Sequence, residues 1–342
     1  MRMSKRWLYL LPLLCWQGTF ACHAQDYERP LEHGFSGYVE VLGAYFGTNS
    51  QFNTDRDNRR ISSLDRSGEW VNDVRPLPLF LVNYTFAADR TRLYAGVQPE
   101  NMARGQYQVE IGIRHWLQGG TLLSAAVIPV TPIAAQTWED PFVLEARRRR
   151  TDADSWGISL AADRIAGSGI GLGYEFARTD VENENSGRFL LSRPGTELTI
   201  ADVDDLRRDA DVHRVSLDYR RSVSGYFKLK PGVGYTYSRA EGSAMRFHGL
   251  QPELTLGYFR GRLSASLNLS YRIADYSDKH PVFGKRRRDH RAGVIFAIGY
   301  RRPFGLKNFR IDWFNAAMRT ESNIAFYETT ALISAVGVGY EF

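Results

Sequence analysis

Six histidines follow residue 24: His33, His115, His213, His248, His280 and His290. A histidine becomes a catalytic base only with a nucleophile or an orienting carboxylate within hydrogen-bond reach. No Ser–His–Asn or Asp–His grouping falls at strand spacing, and His115 and His213 sit on apolar faces near strand ends, where an interfacial role is expected. The sequence therefore predicts neither a lipid or peptide hydrolase nor any other enzyme. Carboxylates cluster at Asp202, Asp204, Asp205, Asp209 and Asp211, with Asp55 and Asp57 in an earlier stretch. Such spacing would suit calcium. Arg207 and Arg208 are interleaved with it, however, and the expectation is a solvated, self-neutralised loop with no metal and no cofactor.

Two basic runs stand apart, Arg147, Arg148, Arg149 and Arg150 and then Lys285, Arg286, Arg287 and Arg288. Guanidinium groups bind phosphate well, so contact with lipopolysaccharide is one reading. A solvated run balanced by Asp152, Asp154 and Asp289 is the other. A third set of charges alternates with apolar residues: Glu110, Arg114, Glu175, Arg214, Asp218, Arg220, Lys228, Lys230, Glu253 and Arg272, joined by Asn268 and by Gly171, Gly173, Gly232 and Gly234. Charges of both signs among small residues suit a watery interior. Arg214, Arg220, Lys228, Lys230 and Glu110 would form its selectivity ring.

The elements that carry these residues read as strands. In Gln106–Leu117, Tyr107, Val109, Ile111, Ile113 and Leu117 share one face, while Gln108, Glu110, Gly112, Arg114 and Trp116 share the other. Side chains alternate along a strand, so one face is built for an apolar medium and one for polar surroundings. Fourteen such segments run from 35–47 to 331–342, with twelve or sixteen as alternatives. Short connections, such as Gln118–Gly119–Gly120, alternate with long polar ones at 48–76, 98–104, 130–154, 180–211, 239–246, 274–290 and 319–330. Rings sort into two bands: Tyr174, Phe176, Tyr235, Tyr237 and Tyr271 near the long connections, and Tyr219, Tyr258, Tyr300, Tyr340 and Phe342 near the short ones. A soluble sandwich also alternates but has no reason to sort its rings. Two aromatic girdles and short turns opposite long loops are the pattern of a transmembrane β-barrel. In hydrocarbon no strand edge can stay unpaired, so 35–47 is expected to pair with 332–342 and close the sheet. Elsewhere the inward face is expected to be less polar, at Ala125, Val127, Ile295, Ala297, Phe314, Ile333 and Ala335.

Residues 1–24 read as a cleaved export signal: Arg2, Lys5 and Arg6, then the apolar Leu8–Trp16, then Cys22–His23–Ala24. That apolar core is too short to span a bilayer as a helix. Residues 25–34 would form a short periplasmic lead-in and 35–342 a single barrel domain. Both cysteines, Cys15 and Cys22, lie within the segment to be removed, so the mature chain would hold no disulfide. Three of the 44 basic residues go with it, leaving 41 against 38 acidic, a net charge of +3. That is too little to argue for a nucleic-acid partner.

The chain ends on Val336, Val338, Tyr340 and Phe342 at alternate positions. This resembles the terminal signal of Gram-negative outer-membrane proteins, which implies recognition by the barrel-assembly machinery and an outer-membrane address. The stretches GFSGYVEVLGAYFGTNSQFNTD, PENMARGQY and TWEDPF also resemble a family of outer-membrane barrels known only as a domain of unknown function. That resemblance implies no activity. The expectation is a monomeric barrel among lipid and lipopolysaccharide that passes or binds a small solute without covalent chemistry. A plugged structural or surface-interaction barrel is the alternative.

Overall fold

A computed structural model describes residues 32–98, 108–129 and 135–342. The expected export signal, all but the last residues of the 25–34 lead-in, and the PENMARGQY stretch lie outside the described residues. The chain forms one antiparallel sheet closed on itself, with fourteen staves. They are β1 (Gly34–Thr48), β2 (Val71–Phe86), β3 (Thr91–Val97), β4 (Val109–Trp116), β5 (Leu122–Ile128), β6 (Arg150–Asp163), β7 (Ile170–Val181), β8 (Ala210–Tyr219), β9 (Phe227–Ala240), β10 (Phe247–Arg260), β11 (Leu263–His280), β12 (Lys285–Arg301), β13 (Phe309–Ser322) and β14 (Thr329–Glu341). A short strand, Ala135–Trp138, pairs with the loop end of β6, and two short helices, α1 (Arg188–Leu191) and α2 (Ile200–Asp204), lie between β7 and β8.

Closure is made by β1 on β14, in register from Tyr38 opposite Glu341 to Thr48 opposite Ala331. Phe342 extends this seam: its N–H donates to the Gly37 carbonyl and its own carbonyl accepts from the Gly37 N–H. The outward side chains of the seam, Val39, Val41, Val336 and Val338, are exposed. Around the rest of the barrel Ile111, Val127, Leu160, Val215 and Leu250 are exposed in the same way. A continuous apolar belt of this extent would not be tolerated in water and belongs in hydrocarbon. Tyr219, Tyr300, Tyr340 and Phe342 rim the belt at the short-turn end. At the long-loop end the girdle repeats a tyrosine–histidine hydrogen bond three times: Tyr174 to His213 at 2.9 Å, Tyr235 to His248 at 2.5 Å and Tyr271 to His290 at 2.9 Å. Each pair lets a ring keep its polar tip satisfied while its body faces lipid.

Two expectations are corrected. Strands run further into the long-loop side than the apolar pattern indicated: β2 begins at Val71, β6 at Arg150 and β12 at Lys285, and β11 ends at His280. Ladder hydrogen bonds need no apolar face once a hairpin leaves the membrane, so charged stretches continue as strand. Ala125 and Val127 point outward, opposite Ile113 and Ile111, while Leu122 and Ala126 point inward and are buried. The segment LLSAAVI is apolar throughout, so its parity comes from the turn that sets Leu122 opposite Trp116.

Candidate functional site

The inward face divides into two sectors. From β1, β2, β12, β13 and β14 come Leu42, Ala44, Phe46, Leu77, Leu79, Leu81, Ile295, Phe314, Ala316, Ile333 and Ala335, which pack as one apolar cluster. The opposite sector, on β7 to β11, carries the charges. In register, Glu175 lies opposite Arg214 and Arg214 opposite Thr236; Gly171 lies opposite Asp218 and Gly232 opposite Glu253. Lys230 Nζ reaches Asp218 Oδ2 at 3.3 Å and Arg220 reaches Asp163 at 3.9 Å. Glu110 stands apart on β4, where it accepts from Gln108 at 2.6 Å and from the Tyr94 hydroxyl at 3.4 Å. Arg114, on the same face, donates to Gln98 at 3.2 Å. Of the five expected ring members, Arg220 and Lys230 meet in one cluster around Asp163 and Asp218, Arg214 lies beside Glu175, Lys228 lies opposite Gly257, and Glu110 lies on β4.

The glycines of the charged sector have a steric role. A Cβ on Gly234 would lie 2.2 Å from Arg214 Nη2; on Gly232, 2.9 Å from Glu253; on Gly171, 2.9 Å from Asp218. The same holds at Gly299 for Asp312 and at Gly339 for Arg310. Long charged side chains thus lie flat on the wall, over glycines of the next strand.

A further network escaped the sequence reading. Arg310 on β13 meets Asp312 at 2.8 Å, Glu341 at 3.5 Å and the buried Glu40 of β1, and its guanidinium sits 4.3 Å from the Tyr38 ring centroid. Arg291 on β12 also faces inward, opposite Arg272. The signal was available: Arg310 and Asp312 are in phase with Phe314, and Arg291 is in phase with Ile295, both already read as inward.

Above the barrel the long connections converge. Ile61, Phe142, Leu206, Ile324, Phe326 and Tyr327 form an apolar core, with Phe52, Leu64, Leu144, Leu190, Met245, Val282 and Phe283 packed against it. These residues come from six long connections spaced around the rim, so their mutual contact carries the loops across the mouth as a cap. Arg148 pins it. Its Nη1 donates to the Gln51 carbonyl at 2.9 Å and to the Pro141 carbonyl at 3.3 Å, its Nη2 donates to the Asn58 carbonyl, and it lies 4.5 Å from the Trp138 ring centroid. Arg208 forks onto Glu184 at 2.7 and 3.1 Å. Asp140 accepts from the N–H groups of Phe142, Gly187 and Phe189. Burial raises the Asp140 carboxyl pKa, a shift opposed by those three bonds. Burial also pushes Glu184 upward, but the Arg208 guanidinium outweighs it and the net shift is down. His280 sits in the cap core, where burial and then the Arg287 charge take its pKa down to about 3.

The basic runs are therefore not uniform surface features. Arg148 is buried as a pin, and Arg287 is sandwiched between the rings of Tyr327 and Tyr276 at 3.5 and 4.4 Å while forking onto Asp289. Neither can meet lipopolysaccharide, because each guanidinium is already packed and hydrogen-bonded inside the molecule. Arg147, Arg149, Lys285, Arg286 and Arg288 are exposed. Four of the five aspartates of 202–211 have structural partners: Asp202 closes the capping box on Thr199, Asp205 accepts from Ser243, Asp209 accepts from the Val181 N–H and Asp211 pairs with Arg178. Among the described residues no group of three or more His, Cys, Asp or Glu side chains is placed to hold a metal.

Residues 34–341 match the model of a family described as "Protein of unknown function (DUF2860)". The chain belongs to this family. No curated protein matches it. Among solved structures, this DUF2860 protein is similar to a Pseudomonas aeruginosa FadL homologue (10% identity, 90% of each chain covered, TM-score 0.45). It is also similar to the CymD monoaromatic hydrocarbon channel (8% identity, 98% of this chain and 97% of that one, TM-score 0.46) and to an anion-selective porin from Comamonas acidovorans (9% identity, 90% and 98%, TM-score 0.38). Each likeness is one of barrel architecture.

Proposed function

We propose that this DUF2860 protein stands in the outer membrane of a Gram-negative cell as a conduit for a small solute, closed at its outer mouth by the loop cap and doing no covalent chemistry. The observation that carries this reading is the seating of lumenal side chains on neighbouring glycines. Gly171, Gly232, Gly234, Gly299 and Gly339 lie beneath Asp218, Glu253, Arg214, Asp312 and Arg310, an arrangement that draws long charged side chains toward the wall, as a conduit needs. Electrostatic selection would come from Glu110, Arg114, Glu175, Arg214, Asp218, Arg220, Lys228, Lys230, Glu253 and Arg272 on the wall. Val336, Val338, Tyr340 and Phe342 on the closing strand would serve as the assembly signal. The exposed Arg147 and Lys285 would be the first of the basic runs to meet lipopolysaccharide phosphates, since Arg149 pairs with Glu139, Arg286 donates to the Tyr276 carbonyl and Arg288 pairs with Asp275.

Conductance in planar bilayers tests the reading. The folded, heat-modifiable protein should give stepwise current, and a variant with the Arg148 pin removed should give longer openings. Silence from both proteins would replace the conduit with the structural barrel, a reading that the packed cap core favours.

A further inference from the structure

We infer that the solute is an amphiphilic anion, with a carboxylate-type head bound by Arg272 and Arg291 just beneath the cap and an apolar body lying along the wall of Ile295, Phe314, Ala316 and Ile333; this rests on the conduit reading and names its cargo class. The two arginines are direct cross-strand neighbours on the inward face of β11 and β12. Like charges so placed repel by about as much as an opposite pair would gain. Three other inward arginines are neutralised locally: Arg287 by Asp289, Arg220 by Asp163, and Arg310 by Glu40, Asp312 and Glu341. Arg214 lies between Glu175 and Glu253 and within electrostatic reach of Arg272. Arg272 and Arg291 form no ion pair among the described residues, and the one carboxylate within electrostatic reach of both, Asp289, is already forked by Arg287. Among the described residues the guanidiniums make one hydrogen bond, Arg291 Nε to Thr320 Oγ1 at 2.8 Å; Arg272 Nε makes none there, and that guanidinium lies 5.7 Å from the Phe247 ring centroid. Two adjacent guanidiniums with open forks match the geometry of a carboxylate, sulfonate or phosphate oxygen pair.

What lies next to them decides the rest of the molecule. Arg291 is followed on the same face by Gly293, Ile295 and Ala297, opposite Met318, Ala316 and Phe314 of β13. Those residues pack with Ile333 and Ala335 of β14 and Leu42, Ala44 and Phe46 of β1. Arg291 and Ile295 are four residues apart, about 13 Å along a strand. A head held at the arginines therefore places a medium-length alkyl or aryl body against the apolar sector. A fully hydrated ion would leave that sector wet for no gain, and a neutral hydrocarbon would leave the two guanidiniums unmet.

The test uses the full protein in lipid nanodiscs with octanoate, acetate and octyltrimethylammonium as probes, followed by calorimetry. Octanoate should bind at least tenfold more tightly than acetate, and octyltrimethylammonium should not compete. The double variant Arg272→Gln/Arg291→Gln should lose octanoate binding tenfold or more, Arg272→Lys/Arg291→Lys should keep most of it, and Phe314→Ser should weaken octanoate without changing acetate. Heat-modifiable mobility reports that each variant is folded. Equal binding of octanoate and octyltrimethylammonium, or octanoate binding unchanged in the glutamine double variant, overturns the inference. Current without octanoate selectivity overturns the cargo alone; octanoate binding without current overturns the conduit and leaves the binding site standing.

Discussion

Lowering the pH from about 7 to about 5 should open the loop cap, and His280 should be the cause. The ring is fully buried among Phe142, Phe283 and Tyr327, and its Nε2 meets the Tyr327 hydroxyl at 2.7 Å. The charged group facing it is Arg287, itself tied to Asp289, with Tyr276 on the other side of that guanidinium. Its pKa in the closed cap is about 3, against 6.5 in water. The sign follows from that depression: the open cap binds the proton and the closed cap does not. The stabilisation is whole above the open-state value and is lost as pH falls toward the closed-state one. Between about pH 7 and about pH 5 the closed-to-open equilibrium moves about 25-fold, or about 2 kcal/mol. Residues 25–342 hold no cysteine, so in a protein from which Cys15 and Cys22 are absent or replaced, labels at D65C and E197C report the separation of two cap loops. In urea adjusted to leave about one cap in twenty open at the higher pH, more than half should be open at the lower. In His280→Asn, with urea reset to the same starting population, the acid shift should vanish. An unchanged acid shift in that variant, or no shift in the parent, refutes the assignment.

Three further outcomes are expected. Arg148→Met removes a buried cation from three carbonyls and should loosen the cap by about 3–5 kcal/mol, read as accelerated hydrogen exchange over residues 50–61 with the strands unaffected. Deleting Phe342 removes both backbone bonds to Gly37 and the last ring of the lower girdle. Export should continue while heat-modifiable barrel in the membrane falls several-fold, and normal levels would contradict the role given to the closing strand. Gly234→Val should drive the Arg214 guanidinium off the wall and into the lumen, lowering single-channel current without changing the melting temperature by more than a few degrees.

Much of the architecture was legible in one dimension because the bilayer imposes it. Lipid on one side and a polar lumen on the other force period-two alternation, and the ban on free edges forces closure, so fourteen strands and the β1–β14 seam could be read from local pattern. Where that pressure lapses the pattern fails. Residues 274–290 are polar on both sides, yet Asp275–His280 and Lys285–His290 continue as a hairpin. The all-apolar LLSAAVI hides its parity. Inward charges such as Arg310 and Arg291 were in phase with residues already placed inside, and the phase needed only to be followed further.

What the sequence determined by itself is thus the barrel, its strand number and the sense of the faces wherever a strand alternates, since these depend on contacts with solvent or lipid that every residue meets locally. Only the tertiary structure decided that Arg148 and Arg287, indistinguishable in sequence from their exposed neighbours, are internal pins. It alone showed that distant loops share one apolar core, as Phe52 does with Tyr327, whose rings stack at 5.6 Å. It also set the paired arginines above an apolar wall. Those features arise from which strands become neighbours around a closed circumference, and no period along the chain encodes that.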